Sequence, residues 1–110
     1  MTLADMYFLY VEDDPLSREV MRMIMSNGMG VTKLSIFEDS EDFMSRVKAL
    51  GACPDVILLD VHVQPFSGLE MLQMLRADPN YQSAKIIALT ASVMNEEVEL
   101  LKQSGFDGVI

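Results

Sequence analysis

The chain has 110 residues, half of them hydrophobic, a formal net charge of −9 and a single cysteine, Cys53. This length suits one domain with one core, and the lone cysteine excludes an internal disulfide bond. The sequence has no basic run, no signal-peptide pattern and no stretch near the roughly 20 apolar residues that span a bilayer, so we expect a cytoplasmic domain that binds neither nucleic acid nor membrane.

The first element is an apolar run at residues 6–11, which predicts a strand buried on both faces. Asp14 and Pro15 follow as an N-cap and a first-turn proline. The helix that they begin is predicted to end near Gly28. Its apolar residues fall on one face at helical spacing: Leu16, Val20, Met23 and Ile24.

The later elements repeat this alternation of strand and helix. Ser67 and Glu70 form a capping box at the start of the third helix. The other predicted helices lie at residues 40–50 and at about 93–104, and the other predicted strands at residues 31–37 (an edge strand), 56–59, 86–89 and 108–110. This order predicts an α/β fold, a three-layer structure with a parallel sheet and helices on both faces.

Acidic side chains follow the strands at the edge where open α/β sheets bind ligands. Glu12, Asp13 and Asp14 come after the first strand, Asp60 ends the third, and Thr90 ends the fourth. Clustered carboxylates raise each other's pKa unless a cation neutralises them. Mg²⁺ takes carboxylate, water and phosphate oxygens, whereas the spacing needed for a zinc site or a calcium loop is missing. Since Asp14 is assigned to capping, the pattern predicts a divalent-cation site at the other acids.

Over nearly all of its length the sequence resembles the receiver domains of bacterial-type response regulators. The matching pieces are YVEDDP at 10–15, DVILLD at 55–60, Gly68 eight places after Asp60, IIALTA at 86–91 and SGFDG at 104–108. The resemblance implies a CheY-like, flavodoxin-like fold whose five-stranded sheet has the order 2-1-3-4-5.

The resemblance also implies the roles of the site residues. Asp60 would be the phosphoacceptor, and Glu12 and Asp13 would hold Mg²⁺ directly or through water, with Mn²⁺ as an alternative. His62 would complete the metal site with its backbone carbonyl. The phosphoryl group would come from the phosphohistidine of a sensor histidine kinase or a phosphotransfer protein.

Two further residues match positions beside the phosphoryl group. Thr90 matches the hydroxyl that contacts it and couples it to the face formed by the fourth helix and the fifth strand, and Ala91 matches the small residue that leaves room for it. The domain would therefore act as a signalling switch, with Mg²⁺-dependent self-phosphorylation and autodephosphorylation but no other catalysis. Family members often form homodimers, and a homodimer is therefore one of the assemblies that the resemblance leaves open for this chain.

The sequence departs from the family pattern at three places. Gln64 stands at a position that is usually proline, with Pro65 one place later, and Val109 stands at the aromatic switch position. The sequence stops at Ile110, before the family's lysine and fifth helix, so a domain truncated before the end of strand five is expected.

Three alternative hypotheses differ from that of a receiver domain that accepts a phosphoryl group. A degenerate receiver would bind partners without phosphorylation. A haloacid-dehalogenase-like phosphatase would need a second acid where His62 stands. A flavodoxin-like carrier of flavin mononucleotide would need a phosphate loop in place of Glu12, Asp13 and Asp14, whose charges repel phosphate.

Overall fold

A computed structural model describes residues 2–90 and 95–110 of the chain. The strands are β1 (Tyr7–Val11), β2 (Lys33–Phe37), β3 (Val56–Asp60), β4 (Lys85–Leu89) and β5 (Gly108–Val109), and the helices are α1 (Pro15–Met23), α2 (Phe43–Lys48), α3 (Gly68–Arg76) and α4 (Asn95–Gln103). Within the described ranges, no helix is both long and apolar enough to cross a membrane.

The five strands form one parallel sheet in the order β2-β1-β3-β4-β5. Val11 at the end of β1 lies beside Leu59 of β3, and Asp60 lies beside Leu89 of β4. The carboxyl ends of the three central strands therefore meet at one edge. The predicted fold class and strand order are both confirmed.

The central strands are apolar throughout because both of their faces are buried. Leu9 and Ile57 belong to a core cluster shared with α2, α3 and α4, and neither has exposed surface. Phe8 and Leu58 belong to a second cluster on the opposite face, which Met25 joins from the π-helical turn Ile24–Gly28 after α1. Helices therefore cover both faces of the sheet, and full burial of each large apolar side chain contributes about 2 kcal/mol.

The four apolar side chains predicted to share one face of the first helix lie outside these two clusters. Leu16, Val20, Met23 and Ile24 are 72%, 46%, 60% and 49% exposed, respectively. Helical spacing correctly places them on one face, but among the described residues this face is not covered. Periodicity shows which side chains share a face and does not show what packs against it.

The second helix begins later than the predicted span of residues 40–50, because the backbone of Asp42 and the side chain of Ser40 are held in other ways. Asp42 adopts the left-handed conformation, with φ 50° and ψ 40°, which interrupts a helix. Ser40 is fully buried, and its hydroxyl is bonded to the backbone of Phe66. The fourth helix was predicted from about residue 93, but positions 91–94 lie outside the described residues.

Candidate functional site

Three carboxylates converge at the carboxyl edge of the sheet. Glu12 and Asp13 follow β1, and Asp60 is the last residue of the neighbouring strand β3. One carboxylate oxygen from each lies within 4.8 Å of the other two. Oxygens bound to one octahedral Mg²⁺ at about 2.1 Å are separated by roughly 3–4 Å, so a small inward movement of these side chains would suffice to hold the ion.

Glu12 is fixed by hydrogen bonds on both of its carboxylate oxygens. The Tyr10 hydroxyl donates to Oε1 at 3.0 Å, and the Asp14 backbone N–H donates to Oε2 at 3.3 Å. Partial burial and the adjacent Asp60 carboxyl raise the pKa of Glu12. Ionisation of all three carboxylates is therefore unfavourable in the absence of a bound cation.

Asp14 belongs to the helix, as its position before Pro15 predicted. Its Oδ2 accepts hydrogen bonds from the Ser17 backbone N–H at 2.9 Å and from the Ser17 hydroxyl at 2.6 Å. These bonds lower the pKa of Asp14, the one from the hydroxyl having the larger effect. This side chain thus satisfies the first turn of α1 and is not part of the converging carboxylate group.

The backbone after β3 contacts the Asp60 carboxylate and leads into α3. The His62 backbone N–H donates to Asp60 Oδ1 at 3.2 Å, and the Gly68 N–H donates to the Val61 carbonyl at 3.0 Å. The predicted capping box at the start of α3 is present, with Ser67 as the N-cap. These contacts place the first turn of α3 directly beside the end of β3.

The His62 side chain lies at the same cleft and is 69% exposed. Its Nε2 atom lies 3.6 Å from Oε1 of Glu97 in the first turn of α4. An exposed contact of this length contributes little to stability. The role of the His62 carbonyl as a metal ligand remains a prediction.

Thr90 lies in the same cleft as the acids, and its backbone N–H donates to the carbonyl of Ile110 at 3.0 Å. Val109 pairs with Ala88 in the sheet and is half-buried. Ala91 lies outside the described residues. The structure thus brings Thr90 to the edge that holds the acids, while the switch roles of Thr90, Ala91 and Val109 remain predictions.

The cleft that contains these groups has a volume of about 760 Å³. Its lining includes the acids Glu12, Asp13 and Asp60 as well as the apolar side chains of Leu16 and Val20 of α1. The sequence analysis did not identify Tyr10 as part of this site. The available signal was its position two residues before Glu12, which places both side chains on the same side of the strand.

The comparisons with known proteins agree with this architecture. The family model for the response regulator receiver domain matches residues 8–110. The probable C4-dicarboxylate response regulator DctR of Halalkalibacterium halodurans is 32% identical over 97 residues, which cover 88% of this chain and 40% of that protein. The nitrate/nitrite response regulator protein NarP of Escherichia coli is 32% identical over 102 residues, covering 93% and 46%. The chain spans less than half the length of these two curated relatives.

Solved structures show the same fold. The Mn²⁺-bound form of response regulator Rcp1 matches with a TM-score of 0.82 and 20% identity, covering 96% of this chain and 79% of that one. The receiver domain of sensor histidine kinase PA1611 from Pseudomonas aeruginosa, which has a magnesium ion in its active site cleft, matches with a TM-score of 0.77 and 25% identity, covering 96% and 83%. The family match and the sheet order together show that the chain belongs to the receiver domain family of two-component response regulators.

Proposed function

We propose that Asp60 accepts a phosphoryl group from the phosphohistidine of a sensor histidine kinase or phosphotransfer protein. The observation that carries this proposal is the convergence of Glu12, Asp13 and Asp60 within 4.8 Å at the end of β3. The magnesium-containing receiver domain from P. aeruginosa supports Mg²⁺ as the cation, and the manganese-bound relative makes Mn²⁺ a practical substitute in experiments.

The proposed metal ligands are Glu12, Asp13, Asp60 and the backbone carbonyl of His62. When bound, the cation would offset the negative charges of the carboxylates and of the incoming phosphoryl oxygens. The His62 N–H would orient the Asp60 carboxylate through its hydrogen bond to Oδ1. Phosphoryl transfer depends mainly on positioning and on charge stabilisation, and these residues would supply both.

In the transfer step, a carboxylate oxygen of Asp60 would attack the phosphorus. The new O–P bond would form an acyl phosphate, while the P–N bond of the phosphohistidine would break and its electron pair would return to the imidazole nitrogen. The modified side chain would carry additional negative charge and acceptor oxygens. Hydrolysis of the acyl phosphate by water would release inorganic phosphate and reset the domain. Self-phosphorylation and this autodephosphorylation would be its only catalysis.

The signal would leave the site through Thr90 and α4. Thr90 lies in the cleft with Asp60, so its hydroxyl would move toward the phosphoryl oxygens and bias the α4–β5 face toward an active form. Ala91 would leave space for the phosphoryl group. Val109 offers a smaller side chain than the aromatic residue of the family, which would weaken the usual coupling. We place this switch in the cytoplasm.

Two observations favour a second candidate function. Exposed apolar side chains on α1, together with Val109 at the switch position, suit a module that binds partners without phosphorylation. The converging carboxylates have no purpose in such a module, so phosphorylation is the preferred function.

Intact mass after incubation with acetyl phosphate and Mg²⁺ tests the proposal. We expect the wild type to gain one phosphoryl mass, and both EDTA and Asp60→Asn to abolish the gain. Asp14→Asn is the matched control, because it neutralises an adjacent acid that serves as a helix cap, and it should retain the adduct. Absence of an adduct on the wild type would favour the interaction module. Mapping of the phosphoryl group to another residue would contradict the assignment of Asp60.

A further inference from the structure

Tyr10 is a buried polar side chain directly beneath the acidic site. It lies in β1, paired with Ile36 of β2 and Leu58 of β3, and is 2% exposed. Its hydroxyl reaches Oε1 of Glu12 at 3.0 Å. A buried tyrosine requires a hydrogen-bond partner, and here that partner belongs to the site.

The ring of Tyr10 is held firmly by its surroundings. It belongs to the cluster that includes Phe8, Met25 and Leu58, against which Met21 of α1 also packs. A close-packed ring has little rotational freedom, so the position of its hydroxyl is fixed by the core. The phenol is neutral at ordinary pH, so its hydroxyl can donate to the Glu12 carboxylate.

We propose that Tyr10 is a positioning residue for the metal site: its hydroxyl holds the Glu12 carboxylate toward Asp13 and Asp60 and thereby sets the affinity for the divalent cation. This inference rests on the proposed metal-dependent function. Each carboxylate oxygen can accept more than one hydrogen bond, so Oε1 keeps acceptor capacity for the cation or its water while Tyr10 donates to it. Groups that orient a ligand in this way commonly change metal affinity by 10-fold or more.

A purely structural role would have a different signature. If Glu12 served only to satisfy the buried hydroxyl, removal of that hydroxyl would change stability but leave metal affinity unaltered. Tyr10→Phe separates these cases, because phenylalanine keeps the packed ring and loses only the hydroxyl. Tyr7→Phe is the matched control. Tyr7 lies at the other end of the same strand and shares its hydroxyl hydrogen bond with Ser35, away from the acids.

The first experiment is a titration of each protein with Mn²⁺, with free Mn²⁺ followed by electron paramagnetic resonance. We expect Tyr10→Phe to bind Mn²⁺ about 10-fold more weakly than the wild type, and Tyr7→Phe to bind like the wild type. The rate of phosphorylation by acetyl phosphate should need more Mn²⁺ in Tyr10→Phe but reach the wild-type value at saturation. Equal affinity of Tyr10→Phe and the wild type would overturn the inference, whereas a wild type without Mn²⁺ binding would overturn the proposed metal site itself.

The Glu12→Ala variant, which removes the carboxylate that accepts from the Tyr10 hydroxyl, tests whether Tyr10 acts through Glu12. If it does, adding Tyr10→Phe to Glu12→Ala should produce no further loss of Mn²⁺ affinity, because the hydrogen bond is already absent from Glu12→Ala. Fully additive losses would contradict a role through Glu12.

A measurement on the wild type keeps the inference testable even if Tyr10→Phe does not fold. The chain has three tyrosines, so ¹³C labelling at the ring carbon that bears the hydroxyl gives three signals. Tyr7→Phe and Tyr81→Phe assign the Tyr10 signal by elimination. We expect Mg²⁺ to shift the Tyr10 signal and leave that of Tyr7 in place, and an unmoved Tyr10 signal would contradict the inference.

Discussion

A Cβ atom added to Gly68 would lie 3.0 Å from the Cα atom of Val61 and 3.3 Å from the carbonyl oxygen of Asp60. Both neighbours are backbone atoms, so neither can move aside as a flexible side chain would. Gly68 is the first residue of α3, and its N–H is bonded to the Val61 carbonyl. The eight-residue spacing between Asp60 and this glycine thus corresponds to a close approach between α3 and the end of β3.

We expect Gly68→Ala to push α3 away from the residue that follows Asp60. Overpacking of this kind costs about 1–3 kcal/mol of unfolding free energy, and Mn²⁺ affinity should fall because the backbone beside Asp60 moves. Urea unfolding and Mn²⁺ titration measure the two effects. Gly51→Ala is the control, since nothing lies within 4 Å of its added Cβ, and it should change stability by less than about 0.5 kcal/mol. Identical behaviour of the two variants would contradict the packing argument.

The sheet could be predicted from the sequence because its signals are local. The apolar runs of β1 and β3 are continuous, since both faces are buried, and each of these two predicted strands differs from the observed one by one residue at one end. Glu12, Asp13 and Asp60 follow those runs directly. Because parallel strands align their carboxyl ends, a correct prediction of the strands also predicted that these acidic side chains lie at one edge of the sheet.

The remaining features depend on contacts between residues that are distant in sequence. The predicted start of the second helix at residue 40 was wrong because the Ser40 hydroxyl is bonded to Phe66, 26 positions later. The exposure of Leu16 on α1 depends on what packs against that helix, which amphipathic spacing cannot show. Tyr10 looks like any apolar strand residue until the direction of its hydroxyl is known.

The Ser40 hydroxyl provides a second stability test. It donates to the Phe66 carbonyl at 2.7 Å and accepts from the Phe66 N–H at 2.6 Å. We expect Ser40→Ala to lower the unfolding free energy by about 2 kcal/mol, because two partly buried backbone groups lose their partner. Ser104→Ala is the control: its hydroxyl bonds to the Leu100 carbonyl on an exposed helix surface, where water can replace it. Equal losses of unfolding free energy in the two variants, measured by urea unfolding, would show that the contact between Ser40 and Phe66 stabilises the fold no more than an exposed hydrogen bond does.

The raised pKa of Glu12 predicts a pH dependence of stability in the absence of metal. Burial and the neighbouring Asp60 raise this pKa in the folded state, while the unfolded chain keeps the ordinary value. Between those two values the folded protein binds more protons than the unfolded chain, so its stability must fall as pH rises. At pH values above the raised pKa, the folded protein carries the full destabilisation caused by ionised Glu12. At pH values below the ordinary pKa of a glutamate, this destabilisation is absent.

Glu12→Gln removes this titration while leaving all other groups in place. In EDTA, the unfolding free energy of the wild type minus that of Glu12→Gln should increase as the pH is lowered from neutral into the mildly acidic range. Asp14 and Asp107 have lowered pKa values and lose stabilisation in acid, but they are common to both proteins and cancel in the difference. Saturating Mg²⁺ should reverse the trend, because the cation favours the ionised carboxylate and its binding weakens as protons compete. A difference that stays constant across pH in EDTA would show that Glu12 is not held in an unfavourable ionised state at neutral pH.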